Sequence, residues 1–242
     1  MGYGMMPMLL AADEEVDFSI HHLFGYKFMG QTVYITTSHV CMFIIMAAII
    51  IFALIARRKI MHATEVPTGL QNVVEFAVET LQGFVHSSMG KHGKKYMNYV
   101  GTLFLFIFFS NISGLFGLRP PTADFGTTFS LALITFVMIQ YNNIKYNKFG
   151  AFTGLFQPLW FLFPINLIGE IATPVSMSLR LFGNIMAGTV MMALYYGLLP
   201  IFAKLGIPSF LHVYFDVFSG AIQAYVFCML TMVFITDKIG EA

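Results

Sequence analysis

Six side chains between positions 170 and 223 have the chemistry to handle charge in an apolar medium: Glu170, Arg180, Asn184, His212, Asp216 and Gln223. Arg180 is the centre of the set. It lies in the run IATPVSMSLRLFGNIMAG (Ile171–Gly188), ten residues after Glu170, and the chain carries no charge from Leu181 to Ala203. Ten helical residues rise about 15 Å, half the hydrocarbon thickness of a bilayer. A guanidinium at that depth does not easily snorkel out, and its desolvation costs about 2.5–3.5 kcal/mol even on a mild insertion scale. Water, a carboxylate or a partner subunit must meet it.

The other five can be placed around it. Glu170 falls toward one end of the Arg180 helix. Asp216 opens the next helix, which starts at the opposite membrane face. Acid, base and acid thus make an interrupted ladder across the membrane, the pattern of ion or proton paths. Asn184 is one turn from Arg180. Gln223 comes seven residues after Asp216, a spacing that returns to nearly the same helix angle, and an antiparallel pairing brings it toward the level of Arg180. His212, one turn before Asp216, either feeds the same path or sits at the interface. Blander readings stand beside these: an ion pair of Arg180 with Asp216 or Glu170, a hydrogen-bonded acid at a helix start for Asp216, an interfacial Glu170. Small residues (Ser176, Ser178, Gly183, Ala187 and Gly188, then Gly220, Ala221 and Ala224) permit close helix approach along both helices, within the bundle or toward a partner.

The elements that position these residues can be read from composition and spacing. Of 242 residues 57% are hydrophobic and 10% are charged, against about 25% charged in a soluble domain. This predicts an all-α polytopic integral membrane protein forming one integral domain over 1–242. About five transmembrane helices, one interfacial amphipathic helix and a long tilted C-terminal helical hairpin are expected. A net charge of +1 leaves no nucleic-acid footprint. Cys41 and Cys228 lie in apolar runs and read as packing residues. The histidines form no metal-spaced pair, and no GxSxG, Walker loop or GxGxxG after a strand is present. Neither metal nor cofactor is called for.

Residues 1–28 read as an arm, acidic at Asp13, Glu14, Glu15 and Asp17, with a paired His21 and His22 and no cleavable leader. Phe28–Ala56 is uncharged and reads as the first span, ending at Arg57, Arg58 and Lys59. Over 66–89 the apolar residues Leu70, Val73, Val74, Ala77, Val78, Leu81, Phe84 and Val85 trace one helix face. That helix lies on the membrane surface or packs beside spans, with Glu75 and Glu79 on its solvated side and Thr68 and Gln71 as a capping box. Tyr96–Leu118 and Phe125–Ile144 read as two spans joined by the turn LRPPTADFG, with Asp124 capping the second. Residues 149–169, broken by Gly154, Pro158 and Pro164, read as an interfacial or re-entrant connection. Asn166 to about Leu199 is the Arg180 helix, bent at Pro174. Pro200, Gly206 and Pro208 mark a turn, and Phe210–Thr236 returns; 166–236 is the hairpin that would translocate ions. Nine basic residues (Arg57, Arg58, Lys59, Lys91, Lys94, Lys95, Lys145, Lys148, Lys238) fall on one side of this topology and three (Lys27, Arg119, Lys204) on the other. The asymmetry predicts the N-terminus outside and the C-terminus inside.

Five segments carry a family resemblance: PVSMSLRLFGNIMAG (Pro174–Gly188), AIQAYVFCMLT (Ala221–Thr231), NISGLFG (Asn111–Gly117), PTADFGTTFSLAL (Pro121–Leu133) and GLQNVVEFAVE (Gly69–Glu79). In this order they resemble the a subunit of the membrane sector of rotary F-type ATP synthases, over most of the chain from the first span onward. The resemblance implies a non-catalytic stator subunit whose hairpin lies against an oligomeric c-subunit ring, with b-type peripheral stalk subunits, the rest of the ATP synthase complex and the lipid bilayer as partners. The acidic N-terminus and the absence of a transit peptide favour a bacterial cell inner membrane. Two offset half-channels would pass protons to and from the ring carboxylates and so couple proton flow to rotation and ATP synthesis. Arg180 falls on the family's essential arginine, which displaces the proton from each passing carboxylate and blocks direct leak. Asn184 and Gln223 fall on its polar partners, Asp216 on the outer half-channel position, and Glu170 on the acid near the inner exit. Thr189 departs from the pattern: the family often has Glu or His there, so Asp216 with His212, or water, would carry the outer relay. The residues alone also admit a self-contained ion channel or secondary transporter, although no internal repeat is present, and a non-conducting scaffold, which leaves the three buried charges unexplained.

Overall fold

The run Thr32-Val33-Tyr34-Ile35-Thr36 is β-branched and aromatic, which suits a pleated strand better than a helix. Accordingly, the computed structural model, which describes residues 22–28, 31–61, 69–148, 150–153, 156, 159–198 and 207–240, begins with a two-stranded antiparallel hairpin, β1 (His22–Phe28) and β2 (Gln31–Thr36). The first helix therefore starts at Thr37 and not at Phe28 as its lack of charge suggests, and this hairpin is the one departure from an all-helical chain among the described residues. The acidic arm residues Asp13–Asp17 and His21 lie outside the described residues.

Helix α1 (Thr37–Met61) runs past Arg57 and Arg58. It is apolar all round and exposes Phe43, Ile50, Ile51 and Leu54, a surface suited to lipid. Helix α2 (Leu70–Met89) turns through Gly90–His92 into α3 (Gly93–Ile112). The two pack closely because α3 has glycines where α2 presses in: a Cβ at Gly101 would stand 2.6 Å from Leu81 Cδ2, and one at Gly93 would stand 3.1 Å from Val85 Cγ1. Of the two placements open to the amphipathic helix, the structure has it packed beside other helices. Its apolar stripe is wider than its buried one, since Val74 and Val85 are buried while Val73, Phe76 and Val78 are exposed. Thr68 of the expected capping box lies outside the described residues, and the Gln71 amide donates to Glu75 at 2.8 Å.

The turn after α3 contains a left-handed Gly117 (φ 69°) and a short helical turn at Pro121–Ala123. Asp124 then caps α4 (Phe125–Asn147) as its position predicts, accepting from the Gly126 amide at 3.0 Å. Between α4 and the next long helix come a single turn, Gly150–Thr153, and exposed Trp160 and Phe161; Gly154 and Pro158 lie outside the described residues. Helix α5 (Phe163–Leu198) has 36 residues, about 54 Å of helix, more than a perpendicular span needs. It starts before Asn166 because Pro164 is harmless in a first turn, where its missing N–H has no helical acceptor to lose. Pro174 lies inside it and is buried. Pro200 and Gly206 lie outside the described residues; Pro208 belongs to α6 (Ile207–His212), which continues through a π-helical stretch, Val213–Ser219, into α7 (Gly220–Ile239).

Four stretches are long and apolar enough to cross a membrane: Thr37–Arg58, Gln71–Phe116, Trp160–Gly197 and Phe210–Ile239. The second is the α2–α3 pair, not one rod. Helix α4 has the length of a span with more polar side chains, and these are its contacts. Tyr96 donates to Asn142, Tyr99 pairs with Thr135 at 2.9 Å, and Thr128 with Ser178 at 3.2 Å. The core lies where α3, α4, α5 and α7 meet, with Val100, Ile107, Ala132, Leu181, Phe227, Cys228 and Met232 almost wholly enclosed.

Gly220 is needed at the α3–α7 crossing, since a Cβ there would lie 2.8 Å from Asn111 Cβ, whereas a Cβ at Gly183 meets nothing. Gly183→Ala should therefore raise the melting temperature of the purified protein slightly, the helix-propensity gain being about 0.5–1 kcal/mol. Gly220→Ala should lower it, overpacking at about 1–3 kcal/mol outweighing the same gain. Thermal unfolding in one detergent, both variants side by side, checks the two signs.

Candidate functional site

Helix α5 turns one stripe away from the bundle. Ala172, Ser176, Gly183, Ala187 and Met191 are exposed at spacings of four and seven residues, so they share a face. Arg180 is exposed on that same face. Among the described residues it makes no hydrogen bond or ion pair. The pairing with Asp216 or Glu170 that would make it a structural arginine is not formed: each acid has other partners.

Asp216 borders a cavity of about 380 Å³ lined by the turn Gly114–Ala123 and by Asn184, Gly188, Thr189 and His212. Its Oδ2 is 3.1 Å from His212 Nδ1, one turn earlier on the same helix. Its carboxylate reaches the α3–α4 turn because Gly114 has no side chain; a Cβ there would touch all three carboxylate atoms at 3.5 Å. Asn184 accepts from Ser219 at 3.0 Å, and Gly188 seats Phe215, so α5 meets the π-helical stretch directly here. Thr189 spends its hydroxyl on the Ile185 carbonyl at 3.0 Å.

Glu170 borders a second cavity, of about 700 Å³, lined among others by Asn143, Asn147, Asn166, Thr173, Asp237 and Lys238. Its carboxylate accepts from Gln140 Nε2 at 2.6 Å and from Lys238 Nζ at 2.5 Å. The two cavities touch α5 at opposite ends. Arg180 lies between them, seven residues from Thr173 and four from Asn184, about 10 Å and 6 Å along the axis.

The contacts Asn184–Ser219 and Glu170–Lys238 also fix the antiparallel register of α5 against α7. Counting four residues along from each side of the first pair sets Arg180 level with Gln223–Ala224. The structure does not join Gln223 to Arg180, however. Gln223 is 7% exposed, and its Nε2 has no hydrogen-bond partner among the described residues. The seven-residue identity of face between Asp216 and Gln223 does not carry through either, because the π stretch Val213–Ser219 adds about one residue per turn and so rotates α7 relative to Asp216. Between their ends α5 and α7 are spaced by α4, which packs against both, so the pair is a splayed hairpin.

The small residues divide the same way. Ser178, Gly188, Gly220 and Ala224 pack inside, whereas Ser176, Gly183 and Ala187 lie on the open Arg180 face. Sequence reasoning missed Lys238, Gln140 and Gly114. Gly114 stands in a polar, closely packing segment whose partner no local spacing reveals. Lys238 contacts a residue 68 positions away and is indistinguishable by sequence from any cation that marks a membrane side.

A multi-pass helical bundle with an arginine unpaired among the described residues on an open face, and with two separate cavities each bordered by an acid, has the build of an ion-translocating membrane subunit. Comparison with known proteins agrees. The family model described as ATP synthase A chain matches residues 39–236. The chain is 44% identical over 187 residues to "ATP synthase subunit a, sodium ion specific" of Propionigenium modestum, covering 68% of this chain and 63% of that protein. It is 38% identical over 222 residues to ATP synthase subunit a of Desulforamulus reducens, covering 89% and 82%. It is also 38% identical over 190 residues to that of Priestia megaterium, covering 72% and 80%. The chain belongs to the ATP synthase subunit a family, whose members are non-catalytic ion-translocating subunits of the Fo sector.

If the cavities are aqueous, a water-soluble thiol reagent should modify Thr189→Cys and Gly169→Cys, and should leave Leu181→Cys, buried between them, unmodified. Cys41 and Cys228 are buried and give little background. Labelling in membranes, read by mass shift, checks the pattern.

Proposed function

We propose that this chain is the stator through which ions reach and leave a rotating ring of membrane subunits, and that Arg180 is the barrier between its two access paths. The observation that carries the proposal is the position of Arg180: exposed, unpaired among the described residues, on an apolar face, and between two cavities that border different ends of one helix. An unpaired guanidinium in a low-dielectric surface demands an anion. A carboxylate on each ring subunit supplies it in turn, ionised beside Arg180 and neutralised away from it. The fixed positive charge also repels a cation that would cross directly from one cavity to the other. The exposed stripe with Ser176, Gly183 and Ala187 lets the ring's helices approach.

The excess of basic residues beside Arg57–Lys59, Lys91–Lys95, Lys145 and Lys238 supports placing the Glu170 cavity on the inner side and the Asp216 cavity on the outer side. The hairpin over 166–236 is then the translocating unit of a single integral domain, and the b-type stalk subunits hold it still. The His212–Asp216 pair supports protons as the ion, since both groups exchange protons and face one cavity. A sodium path is the second reading. It is favoured by the likeness to the Propionigenium relative and by the oxygens of Asn184, Thr189 and Asp216 around that cavity, because hard cations take oxygen ligands.

Vesicles bearing the whole complex test both. Arg180→Ala should abolish ATP-driven pumping while the complex still assembles, and passive leak through complexes stripped of their soluble head should rise. Normal pumping by Arg180→Ala refutes the barrier. ATP-driven uptake of radioactive Na⁺ that persists with a protonophore present assigns the sodium reading; uptake abolished by the protonophore assigns protons.

A further inference from the structure

The Glu170 carboxylate is not bare. Lys238, from the last turn of α7, contacts one oxygen, and Gln140, from α4, contacts the other. Both partners of the ion pair are about one-quarter exposed, at 25% and 24%. The same turn of α7 is held a second time, since Asn147 Nδ2 donates to the Lys238 carbonyl at 2.8 Å. One residue thus ties α7 to α5 through its side chain and to α4 through its backbone, at the rim of a cavity of about 700 Å³. The charged groups lining that cavity are Glu170 from α5 and Asp237 and Lys238 from α7. Helix α4 contributes the uncharged Asn143 and Asn147 to the lining, and α5 adds Asn166 and Thr173.

We infer that Lys238 is a positioning residue of this pathway, which occupies the Glu170 carboxylate with a tethered ammonium and so keeps the cavity from holding a passing cation. The inference rests on the ion-path reading above. An access path must admit ions and also release them; a site that binds strongly stalls the flow. An uncompensated carboxylate in a confined cavity is such a site. The tethered ammonium competes for the same oxygens without leaving, and Gln140 fixes the carboxylate so that the competition has one geometry. Basic character alone does not explain this placement. Lys145 and Lys148 are nearby cations at the end of α4, are exposed, and make no ion pair among the described residues.

The experiment uses the whole complex in vesicles with the soluble head facing the bath. ATP-driven pumping is measured while the coupling cation in the bath is varied. Lys238→Met should lower the cation concentration at half-maximal rate about tenfold, the scale of losing one opposite charge within 4–6 Å, and should lower the maximal rate with it. Lys238→Arg should restore both. Glu170→Gln with Lys238→Met should remove the shift in half-saturation seen in Lys238→Met alone, since the carboxylate that Lys238 occupies is then gone while Asp237 is common to both variants. A half-saturation unmoved by Lys238→Met overturns the inference, because a purely structural tie would lower the rate and leave that value in place; so does a shift that survives Glu170→Gln. Arg180→Ala in the same vesicles separates the two levels. If it stops pumping while Lys238→Met shifts nothing, only the role of Lys238 fails. If it pumps normally, the ion-path reading fails.

Discussion

The constraint on which the structure turns is the cost of one positive charge away from water. A guanidinium in an apolar surface is tolerated only where an anion, a dipole or water answers it. In this chain the answer does not come from within the described bundle. Asp216 is engaged by His212, Glu170 by Lys238 and Gln140, and Asn184 by Ser219. The buried Gln223 Nε2, level with Arg180, has no partner among the described residues but is not joined to it. The arginine is left on the outer stripe of α5, and the molecule is incomplete in the electrostatic sense. That incompleteness, more than any single contact, makes the chain read as one half of a working pair.

Helix α4 makes the arrangement possible. It stands between α5 and α7 over much of their length, so their two ends can each open into a cavity while their middle remains filled. Leu181 and Ala132 are fully enclosed there. A tight α5–α7 hairpin would have closed both cavities. A wider one without α4 would lack the side chains that now stand between them.

Much of this is legible in the sequence, for identifiable reasons. The depth of Arg180 emerges from counting uncharged residues on either side of it. The Asp124 cap is signalled by its place after a proline turn, and the amphipathic helix by its three- and four-residue spacing. These are local patterns, and local physics dictates them. The start of α1 is not where absence of charge puts it, because an uncharged run can be strand as well as helix, and the β-branched residues at 32–36 favour strand. The π stretch around Asp216 leaves no sequence mark, because VYFDVFS is compatible with either helix type; it ends at Gly220, whose carbonyl accepts from Asn111 at 3.0 Å. The Lys238–Glu170 tie is invisible in the sequence because it depends on how three helices pack. The family resemblance names positions, but the geometry of their partners has to come from the fold.

The polar rungs of α4 bear on how such a chain reaches its membrane. Thr128, Thr135, Asn142 and Asn143 are buried only because Ser178, Tyr99, Tyr96 and neighbouring helices cover them. Presented alone to lipid, the same side chains would be uncovered, and α4 is the long helix that falls outside the set apolar enough to span by itself. Its stable residence among hydrocarbon is therefore a property of the assembled bundle. Biogenesis must deliver α3 before α4 is released, and must keep α4 sheltered until α5 and α7, synthesised later, close around it. The polar rungs that join α4 to its neighbours in the finished molecule make the order of its assembly matter.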